Sequence, residues 1–205
     1  MWLTTTIKSD TNRIVAIRAS NKTKTQNESE SKMTKILLKN VRLSFPSLFR
    51  KAVFNGEETK FEGTFLLDKI EHEAKINEIK DAIKEAFKTL KVPKLPPDKI
   101  FLKDGDEIEY AGYEGKMSAK ASSNKRPLVV DRDKSPLTED DNRIYSGCYV
   151  NATIELWAQN NNYGKRVNAN LLAVQFAKDG EPFADGSKAS VDDFDVIADD
   201  DEDFM

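Results

Sequence analysis

Two long runs of alternating apolar and polar residues near the carboxyl end constrain the fold of this chain most strongly. The first is GCYVNATIELWAQ, residues 147–159, and the second is RVNANLLAVQFA, residues 166–177. Strict alternation is typical of a strand that is buried on one face only. The connection NNNYGK between them contains the Asn and Gly residues that tight turns favour. The sequence therefore predicts a long β-hairpin.

Shorter segments ahead of the hairpin are also rich in strand-forming residues. They are KILLKNVRLSF, which Pro46 is expected to end, then KFEGTFLLD, GKMSAKASS and RPLVVD. Residues 70–90 follow a helical period instead, because apolar side chains recur there at steps of three and four. These side chains are Ile70, Ala74, Ile79, Ala82, Ile83, Ala86, Phe87 and Leu90. The segment is predicted to form an amphipathic helix.

Five or more strands, one helix near the middle of the chain and a closing hairpin favour a mainly β fold. The arrangement indicates a small β-barrel of the OB-fold type, with one amphipathic α-helix inserted between strands. Other α+β folds contain the same elements and stay open as alternatives.

The two ends of the chain differ in composition from its middle. Residues 1–32 are largely polar and aperiodic, so we expect a disordered N-terminal extension. The last fourteen residues, 192–205, hold eight acidic and no basic side chains, which predicts a disordered acidic C-terminal tail. A folded domain is therefore expected over residues 33–191.

The chain without its acidic tail has a positive net charge. The whole chain contains 32 basic and 35 acidic residues. Without the eight acids of the tail, 27 acidic residues remain against 32 basic ones, so the rest of the chain carries a formal charge of +5. A basic body with an acidic arm favours a polyanionic partner.

Several classes of protein are disfavoured. One cysteine, Cys148, and one histidine, His72, cannot supply the four ligands of a structural zinc site. No apolar run approaches the roughly 20 residues of a membrane-spanning helix, and the first residues lack the apolar core of a signal peptide. We therefore expect a cytoplasmic protein with no membrane partner. P-loop, Rossmann and Gly-x-Ser-x-Gly motifs are absent, so neither an enzyme nor a cofactor is expected.

Aromatic and basic side chains on the closing hairpin are the first candidate binding residues. Tyr149 and Trp157 fall on the polar face of the first strand, away from its apolar stripe. Tyr163 stands in the turn, and Lys165 and Arg166 follow it. An exposed aromatic ring offers a stacking surface to any nucleic-acid base. The hairpin is therefore predicted to clamp a single strand by stacking and phosphate contacts.

A second candidate surface lies on the strand GKMSAKASS. Its polar face carries Lys116 and Lys120, and Lys125 and Arg126 follow shortly after. Tyr110 and Tyr113, just upstream in EYAGYEGK, interleave aromatic residues with these bases. We expect this face to line a groove if it turns toward Trp157; a solvated edge strand is the alternative.

Two stretches resemble the OB-fold single-stranded-DNA (ssDNA)-binding proteins of tailed bacteriophages. They are GYEGKMSAKASSNKRPLVVD and IYSGCYVNATIELWAQNNNYGKRVNANLLAVQF, with YSGCYVNA and NKRPLVVD as the most specific parts. The resemblance covers roughly residues 34–193. It implies an OB-fold ssDNA-binding domain that coats ssDNA during phage replication or recombination in the cytoplasm of the host cell. It implies no cofactor.

The tail also fits this resemblance. Phage and bacterial ssDNA-binding proteins typically end in carboxylates and a terminal aromatic residue that recruits replication or recombination proteins. Here the matching residues are Asp199, Asp200, Asp201, Glu202, Asp203 and Phe204. The chain departs from the pattern because Met205 follows Phe204. We also expect the tail to compete with DNA for a basic groove.

Other functions stay open. A recombination factor that anneals complementary strands is one alternative within nucleic-acid handling, and a virion or scaffolding protein without DNA affinity is another. A metal-dependent nuclease is a third, built on Asp104, Asp106, Asp131 or Asp133. A homodimer also stays an open alternative.

Overall fold

The computed structural model describes residues 33–183. Within this range the strands are β1 (Thr34–Ser47), β2 (Val53–Phe54), β3 (Glu57–Glu58), β4 (Phe61–Asp68), β5 (Leu102–Asp104), β6 (Lys116–Ser123), β7 (Leu128–Val130), β8 (Tyr149–Asn161) and β9 (Gly164–Lys178). The helix α1 covers Glu73–Leu90, and short 3-10 helices cover Pro97–Lys99, Gly105–Glu107 and Glu139–Asp141. The predicted disordered segments, 1–32 and 192–205, lie outside the described residues.

Five of the strands close into a barrel. Neighbouring strands follow the order β6, β4, β1, β8 and β9, and all of these pairs are antiparallel. A parallel pairing of Ser122 with Asn170 then joins β6 to β9 and completes the ring. β5 pairs antiparallel with one end of β6, and β7 pairs parallel with β9. The predicted mainly β, OB-type barrel with one helix is confirmed.

The β8–β9 hairpin follows the predicted alternation. Cys148, Val150, Ala152, Ile154 and Leu156 are all buried in the barrel core, while the residues between them are partly exposed. The pairing with β9 shifts register twice, between Tyr149 and Val150 and between Thr153 and Ile154, where irregularities interrupt the ladder. Apolar burial on one face of each strand is the main contribution that holds the barrel together.

Helix α1 begins three residues later than the periodicity suggested. The Asp68 carboxylate accepts hydrogen bonds from the backbone N–H groups of Ile70 and Glu71, which makes a turn there. Ile70 is therefore exposed, and the helix buries Ile76, which the sequence analysis did not include, beside Ile79. No helix within residues 33–183 combines the length and the apolar character needed to cross a membrane.

Strand β1 continues through Pro46, contrary to the prediction that this proline ends it. The pairing of β1 with β4 shifts register between Ser44 and Ser47, which marks a bulge. A proline is tolerated at a bulge because the ladder does not need its missing N–H group there. The bulge also places Phe45 in the left-handed region, with φ at 48°. This irregularity shapes the surface described next.

Candidate nucleic-acid interface

A long groove crosses the outer face of β4 and β6. We name it the β4–β6 groove; its volume is about 1090 Å³. The two strands contribute Glu62, Thr64, Ser118, Lys120 and Ser122 to its floor. One rim comes from the bulge in β1 and the β2–β3 hairpin, and the opposite rim comes from β8 and β9. The two rims flank the floor because β1 pairs with β4 and β9 pairs with β6 in the barrel.

Aromatic side chains form one wall of the β4–β6 groove. Phe45 is 53% exposed and Tyr110 is 59% exposed, and their ring centroids lie 5.2 Å apart in an edge-to-face arrangement. Tyr110 makes a second edge contact with Tyr113, at 5.6 Å between centroids. Exposed rings of this kind present π-faces on which bases stack.

The backbone at Phe45 is unusual for its residue type. A non-glycine residue with positive φ is uncommon, and a bulky one is strained. Residues in such regions persist where the surrounding structure holds them, and they cluster at functional sites. Here the bulge turns the Phe45 ring out of the barrel and into the β4–β6 groove, while its neighbour Leu43 stays fully buried.

The charges that line the β4–β6 groove are mostly positive. The basic lining residues are Lys60, Lys99, Lys103, Lys120 and Arg166, and the acidic ones are Glu62 and Asp98. Lys120 is paired with Glu62 at 2.9 Å, and Lys99 with Asp98 at 3.2 Å. Within residues 33–183, Lys60 and Lys103 make no ion pair. The groove therefore combines stacking surfaces with cations that are available to phosphates.

The family model for the ssDNA-binding protein of Enterobacter phage Enc34 matches residues 34–205. The chain belongs to this family. Members of the Enc34 family are DNA-binding proteins rather than enzymes, in agreement with the expectation from the sequence.

Relatives of this Enc34-family chain include proteins of other phages. Protein p50 of Acyrthosiphon pisum secondary endosymbiont phage 1 is 44% identical over 175 residues, which cover 80% of this chain and 94% of p50. The ssDNA-binding protein of bacteriophage Enc34, solved in complex with ssDNA, is 36% identical with a TM-score of 0.67, and the match covers 73% of this chain and 89% of that one.

A more distant likeness supports the fold alone. The ssDNA-binding protein gp2.5 of bacteriophage T7 is 13% identical with a TM-score of 0.51, and the match covers 82% of this chain and 99% of gp2.5.

In this Enc34-family member, four of the residues predicted from the sequence join Tyr110 at the β4–β6 groove. Lys120, Trp157 and Arg166 line it, so the face of β6 does turn toward Trp157. Arg166 also donates a hydrogen bond to the Asp98 carbonyl at 3.0 Å. The fourth, Tyr113, is 3% exposed and donates from its hydroxyl to the Ser44 hydroxyl at 3.1 Å. The Tyr113 ring lies behind the aromatic wall and supports it. Burial raises the pKa of its hydroxyl group.

Two predicted residues on the hairpin take other positions. Tyr163 stands almost fully exposed at the tip, within the turn that joins β8 to β9. The ammonium group of Lys165 donates to the Leu90 carbonyl at 2.8 Å, at the C-terminal end of α1. A cation at this end of a helix is stabilised by the unsatisfied carbonyl groups and the helix dipole.

Four further predicted residues lie outside the groove lining. The Tyr149 ring is packed between cations, with the Lys178 ammonium 4.4 Å and the Arg42 guanidinium 5.7 Å from its centroid. Lys116 faces Asp68 at 3.8 Å. The remaining two follow β6: Lys125 is exposed, and the Arg126 guanidinium lies 5.5 Å from the centroid of the Phe49 ring.

Sequence reasoning missed Phe45, Lys60 and Lys103. Phe45 has the same parity along β1 as the buried Leu43, so alternation alone would place it in the core. Only the bulge reverses its direction, and the FPS sequence at the strand end was the one available signal. Lys60 directly precedes β4 and Lys103 is the middle residue of the three-residue β5, and the alignment of both with the groove depends on barrel closure.

The aspartates considered for a nuclease have other partners. Asp104 and Asp106 both bind the ammonium group of Lys69, at 2.6 Å each. The Asp133 carboxylate accepts hydrogen bonds from Ser135, and Asp131 lies 3.4 Å from the guanidinium of Arg143. Among residues 33–183, no group of three or more His, Cys, Asp or Glu side chains is placed to hold a metal ion.

Proposed function

We propose that this protein binds ssDNA in the β4–β6 groove without reading its base sequence. The observation that carries the proposal is that exposed rings, Phe45 and Tyr110, face the same groove as two cations, Lys60 and Lys103, that make no ion pair within residues 33–183. Membership in the Enc34 family and the solved complex of the Enc34 protein with ssDNA support the same ligand.

The aromatic and the basic side chains of the groove contact different parts of the DNA. Bases stack on Phe45, Tyr110 and Trp157, and stacking tolerates every base because each has a π-face. Phosphates approach Lys60 and Lys103, and such contacts fix the strand without carrying sequence information. A single strand can place unstacked bases against the rings, whereas a duplex keeps its bases stacked inside.

We infer that the protein acts in phage replication or recombination, with the acidic tail as a second functional element. The residues proposed to recruit replication or recombination proteins, 199–204, lie outside the described range. The last described residue, Phe183, donates its backbone N–H to the Ser146 carbonyl at 3.1 Å, and Ser146 lines the β4–β6 groove. The Arg42 guanidinium lies 4.0 Å from the centroid of the Phe183 ring. The chain toward the tail therefore departs from the groove rim, which supports competition between tail and DNA.

Truncation after Val191 tests the role of the tail. Removal of eight negative charges is expected to raise ssDNA affinity at low salt. The gain should shrink as ionic strength rises, since the Debye length falls to about 8 Å near physiological salt. Phe204→Ala should impair partner recruitment and leave DNA affinity unchanged. Equal affinity with and without the tail at low salt would exclude the competition.

Fluorescence titration with oligo(dT) of graded lengths tests the proposed function itself. We expect Trp157 emission to be quenched, in a Trp2→Phe background that removes the second tryptophan of the chain. Affinity should rise with oligonucleotide length until the groove is filled, and magnesium should leave the DNA intact. Absence of binding at low salt, or tighter binding to duplex than to single strands, would contradict the proposal.

A further inference from the structure

Lys69 contacts both ends of the loop that carries Tyr110 and Tyr113, with its side chain at the start and its backbone at the end. Its ammonium group binds Asp104 and Asp106, at the start of the loop, at 2.6 Å each. The second Asp106 oxygen accepts a hydrogen bond from the Gly115 N–H at 2.6 Å, and the Lys69 N–H donates to the Gly115 carbonyl at 3.0 Å. We name these four residues the Lys69 latch.

Residues 105–115, which the Lys69 latch closes, supply much of the aromatic wall. Ile108, Tyr110 and Tyr113 all line the β4–β6 groove. The latch residues themselves, Lys69 included, do not line it. The latch therefore acts on the groove through the shape of the loop.

Close packing under the loop shows that its shape is constrained. Gly105 is buried, and a β-carbon added there would collide with the carbonyl oxygens of Tyr113 and Lys116. Asp104 also accepts a hydrogen bond from the Asp106 N–H at 3.0 Å. The packing of Gly105 ties the start of the loop to its end, and the hydrogen bond between Asp104 and Asp106 fixes the turn at its start.

We propose that Lys69 is a positioning residue for DNA binding, because the Lys69 latch holds Tyr110 beside Phe45 in the orientation that receives a base. This rests on the proposed ssDNA-binding function. It gives Asp104 and Asp106 a role different from metal binding: they are the anchors of the loop.

If the aspartates affected DNA binding only through their charge, neutralising one of them would change the affinity in the opposite direction. Neutralising an acidic side chain near a site for a polyanion raises the affinity, because repulsion is removed. If the Lys69 latch positions Tyr110, neutralising Asp106 lowers the affinity instead. The sign of the change therefore separates the two explanations.

The first variant is Lys69→Met, with Lys75→Met as its matched control. Both lysine side chains are 31% exposed and paired with acids, but Lys75 binds Glu78 on α1, away from the groove. Oligo(dT) affinity is measured for the full chain over a range of salt. We expect Lys69→Met to lose about tenfold in affinity, the order of one stacked base. The slope of log affinity against log salt should match that of Lys75→Met.

The second variant is Asp106→Asn, with Glu78→Gln as its control. These carboxylates are similarly exposed, at 50% and 52%. We expect Asp106→Asn to weaken binding and Glu78→Gln to leave it unchanged or slightly tighter. An oligonucleotide with 2-aminopurine reports stacking, and its quenching should decrease in Asp106→Asn at saturating protein.

Folding and rescue complete the test. Thermal unfolding identifies any variant that fails to fold, and Lys69→Arg, which retains a cation for both aspartates, should bind near the wild-type level. A salt slope flattened by about 0.7 in Lys69→Met would identify a phosphate contact and overturn the proposal. Affinity equal to the controls, or higher affinity in Asp106→Asn, would also overturn it. A wild-type protein that does not bind oligo(dT) would instead refute the proposed function.

Discussion

The rings of Phe45 and Tyr110 meet edge to face with centroids 5.2 Å apart, although 65 positions of sequence separate them. The bulge in β1 turns the first ring outward, and the loop after β5 delivers the second. The pair is the most exposed aromatic contact on the wall of the β4–β6 groove, so its removal should affect binding strongly.

Tyr110→Ala and Phe45→Ala are each expected to weaken ssDNA binding by about 1–3 kcal/mol, the usual contribution of a base stacked on an aromatic ring. Affinity for oligo(dT) and for mixed sequences should fall alike. Tyr149→Ala is the control, because that ring is packed between Arg42 and Lys178 outside the groove. If Tyr149→Ala weakens binding as much as Tyr110→Ala, the groove is not the principal stacking surface.

Removing Lys60 and Lys103, the two groove lysines with no ion pair in the described part of the chain, should change the salt dependence of binding. In the double variant Lys60→Ala with Lys103→Ala, the slope of log affinity against log salt is expected to flatten by about 1.4, since each phosphate contact on a single strand contributes about 0.7. Titrations at several salt concentrations measure it. A lower affinity with an unchanged slope would show that these lysines do not contact phosphates.

Lys165 lies at the end of α1, so we expect its removal to affect stability more than binding. Lys165→Ala loses the hydrogen bond to the Leu90 carbonyl and should lower the free energy of unfolding by about 0.3–1 kcal/mol. Denaturant unfolding measures this effect. The control is Lys84→Ala, which removes an exposed lysine of α1 itself. A flattened salt slope in Lys165→Ala would instead support the phosphate contact that the sequence suggested.

Because of the Lys69 latch, the stability of the protein should decrease at acidic pH. The hydrogen bonds from Lys69 hold the pKa values of Asp104 and Asp106 below the ordinary aspartate value of about 3.9. The stabilisation is therefore present above pH 4 and is lost as the pH falls through the lowered pKa values. The Tm of wild type should exceed that of Asp106→Asn at pH 6, and the difference should begin to shrink once the pH falls below the ordinary aspartate value of about 3.9. A difference that grows as the pH falls below this value would contradict the account.

The sequence predicted the barrel better than the site. Alternation in β8 identified its buried face correctly, because one face of a half-buried strand must be apolar along its whole length. The same rule failed at Phe45, where a bulge breaks the period, and a bulge depends on pairing with β4 that the local sequence does not contain. Tyr113 illustrates a related limit, since its burial arises from the packing of a loop against Ser44.

Some of the basic residues predicted for the binding site line the groove, and others do not. Lys120 and Arg166 reached the groove because their strands close the barrel at β6 and β9. Lys165, one position away from Arg166, reaches the end of a helix whose position only the tertiary structure defines. Adjacent residues on a strand point to opposite faces, so their assignments depend on knowing what covers each face.

Photocrosslinking of oligo(dT) to the full-length protein, followed by peptide mapping, tests the central claim most directly. The account places the strand in the β4–β6 groove, so crosslinks are expected at Phe45, Tyr110 and Trp157. They should disappear when excess unlabelled oligo(dT) is added. Crosslinks concentrated at Tyr149, with the three groove residues unmodified, would contradict the account.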